Sequence, residues 1–176
     1  MRILACLPGI VWVMVLGACG AGTAAVPRSP RLVPVPVYAA DARATDLAAL
    51  AAGRPIVIDF FASWCEACRG NLAPMNALAA AHASEDLVVV GVDVGESDAV
   101  ARRYAERVGM RYPVYTDPAM RFQDSLGDTA LPLVLVVDGE GRIVHRSARL
   151  DGRALEVIQR LAAPRAEARG SPPPGP

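Results

Sequence analysis

Ile56-Val57-Ile58-Asp59-Phe60-Phe61-Ala62-Ser63-Trp64-Cys65-Glu66-Ala67-Cys68 is the stretch that decides the fold. Its first six residues form a compact apolar run introduced by Gly53 and Pro55. Such a run reads as a strand buried on both faces. The cysteines follow where that strand ends, and helix-forming residues from about Glu66 to Ala83 come next, with a bend expected at Pro74. Cys65 is therefore expected at a helix N-terminus, where unpaired N–H groups and the macrodipole favour a thiolate. This makes Cys65 the nucleophile. Cys68, one turn later and expected to be more buried, is the resolving thiol, since a three-residue separation lets it close a small ring and release a substrate. Asp59 is a carboxylate in an apolar strand. Burial should raise its pKa and make it a proton acceptor for Cys68.

Outward from this stretch, Leu32 to Tyr38 reads as a strand-rich start and Thr45 to Ala52 as a short helix. Leu87 to Val92 is a second buried strand, and residues 97 to 108 form an amphipathic helix that stops at Gly109. Pro113 to Tyr115 suits a short strand and Pro118 to Leu126 a short helix. The turn Asp138-Gly139-Glu140-Gly141 joins Leu133–Val137 to Arg142–Ser147 as a β-hairpin. A last helix runs from Asp151 to Ala163, with Leu155, Ile158 and Leu161 on one side. The order is α/β: a central mixed sheet with helices on both faces, closed by a hairpin and a C-terminal helix.

The ends of the chain read differently. Met1-Arg2 and the apolar run Ile3 to Leu16, followed by small residues, have the layout of a secretory signal over residues 1–18. Leu16-Gly17-Ala18-Cys19 resembles a bacterial lipobox, so Cys19 is the expected lipidation site, and several acyl chains would anchor the protein to a membrane. Residues 19–31, rich in Gly, Ala and Pro, read as a flexible linker. The globular domain is assigned to 32–163, and the Pro-rich residues 164–176 to a tail without a core of its own.

The chain of 176 residues carries 18 basic and 18 acidic side chains, which excludes a dedicated nucleic-acid binder. All the basic residues are arginine, which excludes Schiff-base chemistry and a P-loop lysine. Of the four cysteines, Cys6 and Cys19 belong to the N-terminal segment, so no disulfide scaffold is available. Zinc would need four ligands, and beyond the pair only His82 and His145 offer nitrogen. No metal or other cofactor is therefore expected. Arg102, Arg103 and Arg107 read as a solvated helix face, and Glu66 as a solvated neighbour of Cys65.

Four local patterns resemble the membrane-tethered thioredoxin-like proteins of the TlpA/ResA type. They are residues 56–68, Val92-Asp93-Val94-Gly95-Glu96-Ser97, Tyr112-Pro113-Val114-Tyr115-Thr116-Asp117, and Leu131-Pro132-Leu133 leading into Asp138 to Val144. The resemblance implies a thioredoxin fold and thiol-disulfide exchange through a redox-active Cys65–Cys68 disulfide. It also implies that Trp64, Leu131 and a cis Pro132 dock the substrate. It further implies the reducing direction, with a membrane thiol transporter as donor and protein disulfides such as those of apocytochrome c as substrates, on the periplasmic or extracytoplasmic side. A monomer is expected. Three positions depart from the pattern: Asn71 stands where the family has an acid, Pro74 falls one residue late, and Ala67 replaces the proline between the cysteines. Asp59 matches thioredoxin itself, whereas many relatives are neutral there. Two rival readings are a copper-binding chaperone, if His145 approached the cysteines, and a thiol peroxidase. The latter needs a Thr and Arg around a lone cysteine, and no such arrangement precedes Cys65.

Overall fold

The computed structural model describes residues 30–82, 86–127 and 130–163. The signal segment, Cys19, most of the linker and the tail lie outside the described residues. The elements are β1 (Val37–Tyr38), β2 (Ala44–Thr45), α1 (Leu47–Ala51), β3 (Ile56–Phe61), a 3₁₀ turn (Glu66–Cys68), α2 (Arg69–Ala81) and β4 (Val88–Val94). They continue with α3 (Asp98–Val108), β5 (Val114–Asp117), α4 (Arg121–Ser125), β6 (Leu133–Val137), β7 (Ile143–Ser147) and α5 (Gly152–Ala162). Among the described residues no helix is long and apolar enough to cross a membrane.

The seven strands form one sheet in the order β2-β1-β5-β4-β3-β6-β7. β3, β4 and β5 are parallel, while β6 pairs antiparallel with both β3 and β7. Every residue of β3 is buried, because the sheet is covered on both sides. Ile56, Ile58 and Phe60 face Leu47 and Ala51 of α1 and Phe122 of α4, and the Phe60 and Phe122 rings stack at 5.6 Å. On the other face Val57 meets Met75 and Leu78 of α2 and Ile158 of α5. Further along that face Phe61 stacks on Tyr104 of α3 at 5.7 Å. Burying each such large side chain contributes roughly 1.5–3 kcal/mol, so the two interlocking faces hold the end of β3 where the cysteines begin.

Three sequence expectations need adjustment. The strand-rich start narrows to Val37–Tyr38, since Pro34 and Pro36 lack the N–H groups a longer ladder needs. Pairing begins before residue 32, at the edge of the expected linker: Ile143 donates to the Pro30 carbonyl, Leu32 donates to that of Gly141, and Arg31 bridges Arg142. The helix after the cysteines opens as a 3₁₀ turn before becoming α2, and Pro74 lies inside that helix. Helix ends elsewhere follow local chemistry. Asp151 accepts a 2.7 Å bond from the Ala154 amide to start α5, and Gly109, at φ 75°, ends α3.

Candidate active site

Cys65 and Cys68 are joined as a disulfide, with their Cα atoms 5.4 Å apart. Cys65 caps the 3₁₀ turn, its amide donating to the Ala62 carbonyl at 3.0 Å, and Cys68 ends that turn. The two residues are 6% and 4% exposed, so burial separates them much less than the sequence suggested; their positions on the turn differ instead. Trp64, directly before Cys65, is 70% exposed, an unusual state for an indole. Leu131 packs against the cluster formed by Cys65, Cys68, Phe61 and Tyr104, and the Leu131-Pro132 peptide is cis.

Asp59 is buried in the middle of β3, opposite Gly91 of β4 and Val134 of β6. The absence of a side chain at Gly91 leaves room for the Phe61 and Tyr112 rings; a Cβ there would lie 3.0 and 3.1 Å from them. Tyr112 uses that room to donate its hydroxyl to Asp59 Oδ2 at 3.0 Å. Asn71, on α2 one turn after Cys68, donates its amide to Asp59 Oδ1 at 3.2 Å and to the Ala148 carbonyl at 3.1 Å. Its own Oδ1 accepts from the Leu150 amide at 3.3 Å. Burial pushes the Asp59 carboxyl up to about 7, against the opposing pull of the Tyr112 and Asn71 hydrogen bonds. Burial and the neighbouring Asp59 charge hold the Tyr112 phenol far above its ordinary range, so it remains a donor.

A pair of carboxyls lies at and just beyond the end of β4. Glu96 folds back on the loop before the cysteines, its Oε2 accepting from the Ser63 amide at 2.6 Å and its Oε1 from the Ser63 hydroxyl at 2.7 Å. Asp93 is 0% exposed, and neither of its oxygens has a hydrogen-bond partner among the described residues. Burial, and then the Glu96 charge, push its carboxyl up to about 8. In the sequence Asp93 and Glu96 stand out only within a pattern that resembles the TlpA/ResA type. The signal that singled out Asp59, an acid inside an apolar strand, was equally present at Asp93 in Val92-Asp93-Val94.

The remaining candidates fall apart spatially. His145 lies on β7 opposite Val136, with Nε2 3.5 Å from Asp151 Oδ1 and no hydrogen bond between them. His82 sits at the end of α2, and no cluster of three or more His, Cys, Asp or Glu suited to a metal occurs among the described residues. Arg102 and Arg103 are exposed, Arg102 pairing with Asp98 at 3.3 Å, while Arg107 lies over the Tyr104 ring at 5.4 Å. Glu66 is exposed beside Cys65.

Comparison with known proteins places the fold. The thiol-disulfide oxidoreductase ResA of Bacillus thuringiensis is 22% identical over 94 residues, which is 53% of this chain and 54% of that protein. ResA of Bacillus subtilis is 26% identical over 92 residues, 52% of this chain and 51% of that protein. The chain thus spans about half the length of these curated relatives. The crystal structure of a thiol:disulfide interchange protein DsbE from Chlorobium tepidum superimposes with a TM-score of 0.65 at 19% identity, covering 78% of this chain and 96% of that one. The thioredoxin domain of a Bacteroides vulgatus thiol-disulfide oxidoreductase gives 0.67 at 16% identity, covering 78% and 99%. At these identities the likeness establishes the thioredoxin fold. The model of the Redoxin family matches residues 25–155, well over half of the chain, and the protein belongs to that family.

Proposed function

We propose that the protein is a thiol-disulfide oxidoreductase working through Cys65 and Cys68. The observation that carries this reading is the disulfide between them at the junction of a buried strand and a helical turn, beside an exposed Trp64. In the reduced protein the amides of the turn and the helix dipole stabilise a Cys65 thiolate. That thiolate attacks one sulfur of a substrate disulfide. A Cys65–substrate bond forms, the substrate S–S bond breaks, and the departing sulfur takes a proton. Cys68 gives up its proton with Asp59 as acceptor, attacks the Cys65 sulfur and expels the second substrate thiol. Two electrons pass from the protein dithiol to the substrate, and the disulfide is restored. Trp64, Leu131 and Pro132 form the docking edge, supported by the exposure of Trp64 and the packing of Leu131 against the cysteines.

The finer reading is an exported reductase held to a membrane through Cys19, acting extracytoplasmically as a monomer. It takes electrons from a membrane thiol transporter and passes them to protein disulfides such as those of apocytochrome c. The apolar run after Met1-Arg2 and the lipobox-like residues before Cys19 support it. Reduction of insulin tests the chemistry. The wild-type protein should turn insulin over, Cys68→Ala should accumulate a mixed disulfide through Cys65, and alkylation of the reduced protein should reach Cys65 first. Absence of both turnover and a mixed disulfide would sink the exchange reading. Tight copper binding by a reduced protein inactive on insulin would favour the chaperone.

A further inference from the structure

Four observations converge on the end of β4. Asp93 pairs in register with Phe61, and the side chains of paired residues in a parallel ladder share a face. Asp93 therefore points toward α3, as Phe61 does toward Tyr104. Ser63 follows Phe61 by two residues and Glu96 follows Asp93 by three, and beyond the paired strand ends the Glu96 carboxylate reaches Ser63. Glu96 closes on Ser63 with two short bonds, while Asp93, three residues earlier, is fully enclosed, neither oxygen making a well-formed hydrogen bond, with the Glu96 side chain and amide as the groups that act on it. An isolated carboxylate in that setting is costly, so Asp93 stays neutral and carries a hydroxyl that must donate. The Glu96 carboxylate has lone pairs left after its two bonds to Ser63.

We propose that Asp93 is a positioning residue for the thiol-disulfide chemistry, acting through the Glu96 carboxylate that clamps Ser63 two residues before Cys65.

The neutral Asp93 hydroxyl points its proton at Glu96, satisfying one of its two unpartnered oxygens and fixing the rotamer from which Glu96 grips both the amide and the hydroxyl of Ser63. Two carboxyl groups sharing a site hold one proton between them. When Asp93 loses that proton, two negative charges confront each other and the clamp is driven off Ser63. The loop that presents Trp64 and Cys65 is then released. Among the described residues, the other charged groups nearby are engaged elsewhere or exposed. Thr116 is the β5 partner of Asp93, and the neighbouring Asp117 accepts from the Phe122 and Gln123 amides. On α3, Asp98 is paired with Arg102, and Tyr104 is stacked on Phe61. Arg103, Glu106 and Arg107 line the outer groove that runs past Ser63 and Tyr104. On β3 and its turn stand Asp59, held by Tyr112 and Asn71, and the disulfide-bonded cysteines, with Glu66 and Arg69 exposed. Burial first, and then the Glu96 charge, raise the Asp93 carboxyl to about 8.

The proposal rests on Cys65 being the exchanging thiol, and insulin turnover reports that reading separately, because alkylation needs no disulfide substrate. The test follows the rate of Cys65 alkylation by iodoacetamide from pH 5 to pH 10 in the reduced full chain. The background is Asp59→Asn, which removes the other raised acid. After the thiolate plateau, a second rise of about two- to threefold should appear near pH 8, because a thiolate deprived of its supporting loop is more basic and more nucleophilic. Adding Asp93→Asn should abolish that rise. A single-step profile in Asp59→Asn overturns the proposal, as does a second rise that survives Asp93→Asn. Should the double variant fail to fold, Asp59→Asn with Glu96→Gln decides: a neutral amide cannot repel an ionised Asp93, so the second rise must vanish there, and its persistence overturns the clamp.

Discussion

Asp59 sits at the balance point of two opposed effects: burial disfavours its charge, while the Tyr112 hydroxyl and the Asn71 amide support it. Removing either donor tips that balance. A hydrogen bond to a charged group is worth ~1.5–3 kcal/mol, and about 1.4 kcal/mol equals one pKa unit. Tyr112→Phe should therefore move the Asp59 carboxyl above its value of about 7 by roughly one unit. Its titration, followed by NMR of the carboxyl carbon, checks this; an unchanged midpoint would mean that the hydroxyl carries no weight. Asn71→Asp acts in the same direction by a different route, placing a second carboxyl 3.2 Å from Asp59 and leaving the Ala148 carbonyl without its donor. We expect that variant to be about 2–3 kcal/mol less stable at pH 8 and to recover in acid, where both groups are protonated. Denaturant midpoints at pH 5 and pH 8 measure the difference.

Elements rather than residues decide which of these contacts could be foreseen. β3 was legible because five apolar residues and one acid, in a short run between turn signals, suit a strand covered on both sides, and the cysteine pair then falls at its end by counting. β6, β7 and the helices α3 and α5 were legible for the same reason, each having a periodicity longer than its turns. The two-residue strands β1 and β2 carry no period to read, and Pro34 and Pro36 mask where pairing starts. The site contacts were hidden by distance along the chain: Tyr112 reaches Asp59 across 53 residues and Glu96 reaches Ser63 across 33, and nothing local encodes either meeting. Gly91 joins the two levels. In sequence it is a glycine interrupting a valine-rich strand, a sign of close approach, and in the fold it makes space for the rings of Phe61 and Tyr112. Gly91→Ala must displace one of those rings from a packed face, costing about 1–3 kcal/mol. If the Tyr112 ring is the one that yields, the Asp59 carboxyl should rise as it does in Tyr112→Phe. A thermal melt paired with the same titration separates an effect on packing from one on the hydrogen bond.

At the scale of the whole molecule, residues 30–38 run from the hairpin turn, through the Pro30 and Leu32 backbone bonds, to β5, where Tyr38 pairs with Thr116. Leu32 and Val37 of this strap pack on the face of the sheet that carries Ile56, Ile58 and Phe60, and the strap ties both ends of the sheet into one cooperative unit, so local charge effects are read out as global stability. The two raised carboxyls, Asp59 at about 7 and Asp93 at about 8, make that readout unusual. A folded pKa above the unfolded one means that the native state holds its proton longer. Each group therefore costs nothing below about pH 4, opposes folding increasingly as pH rises from there, and stops adding cost once pH passes its folded value. Asp138 works the other way. Burial would raise its carboxyl, but the Arg142 and Glu140 amides and the Arg142 guanidinium hold it below the usual value, so its contribution is lost as pH falls through that lowered range. The protein should accordingly be most stable in mild acid and lose on the order of 3–6 kcal/mol between pH 5 and pH 8, since each extra proton held by the native state is worth about 1.4 kcal/mol per pH unit and hydration of the site lowers the full sum. Asp59→Asn should remove the part of that slope ending near pH 7, leaving the part that ends near pH 8 to Asp93. The gain at pH 8 should be about 1–3 kcal/mol, because one amide oxygen cannot accept from both Tyr112 and Asn71 as the carboxylate does. Guanidinium melts at unit pH intervals from 4 to 9 measure the slope directly. A wild-type curve flat across pH 5 to 8, or a slope that Asp59→Asn leaves untouched, would mean that the fold solvates these carboxyls far better than their enclosure implies.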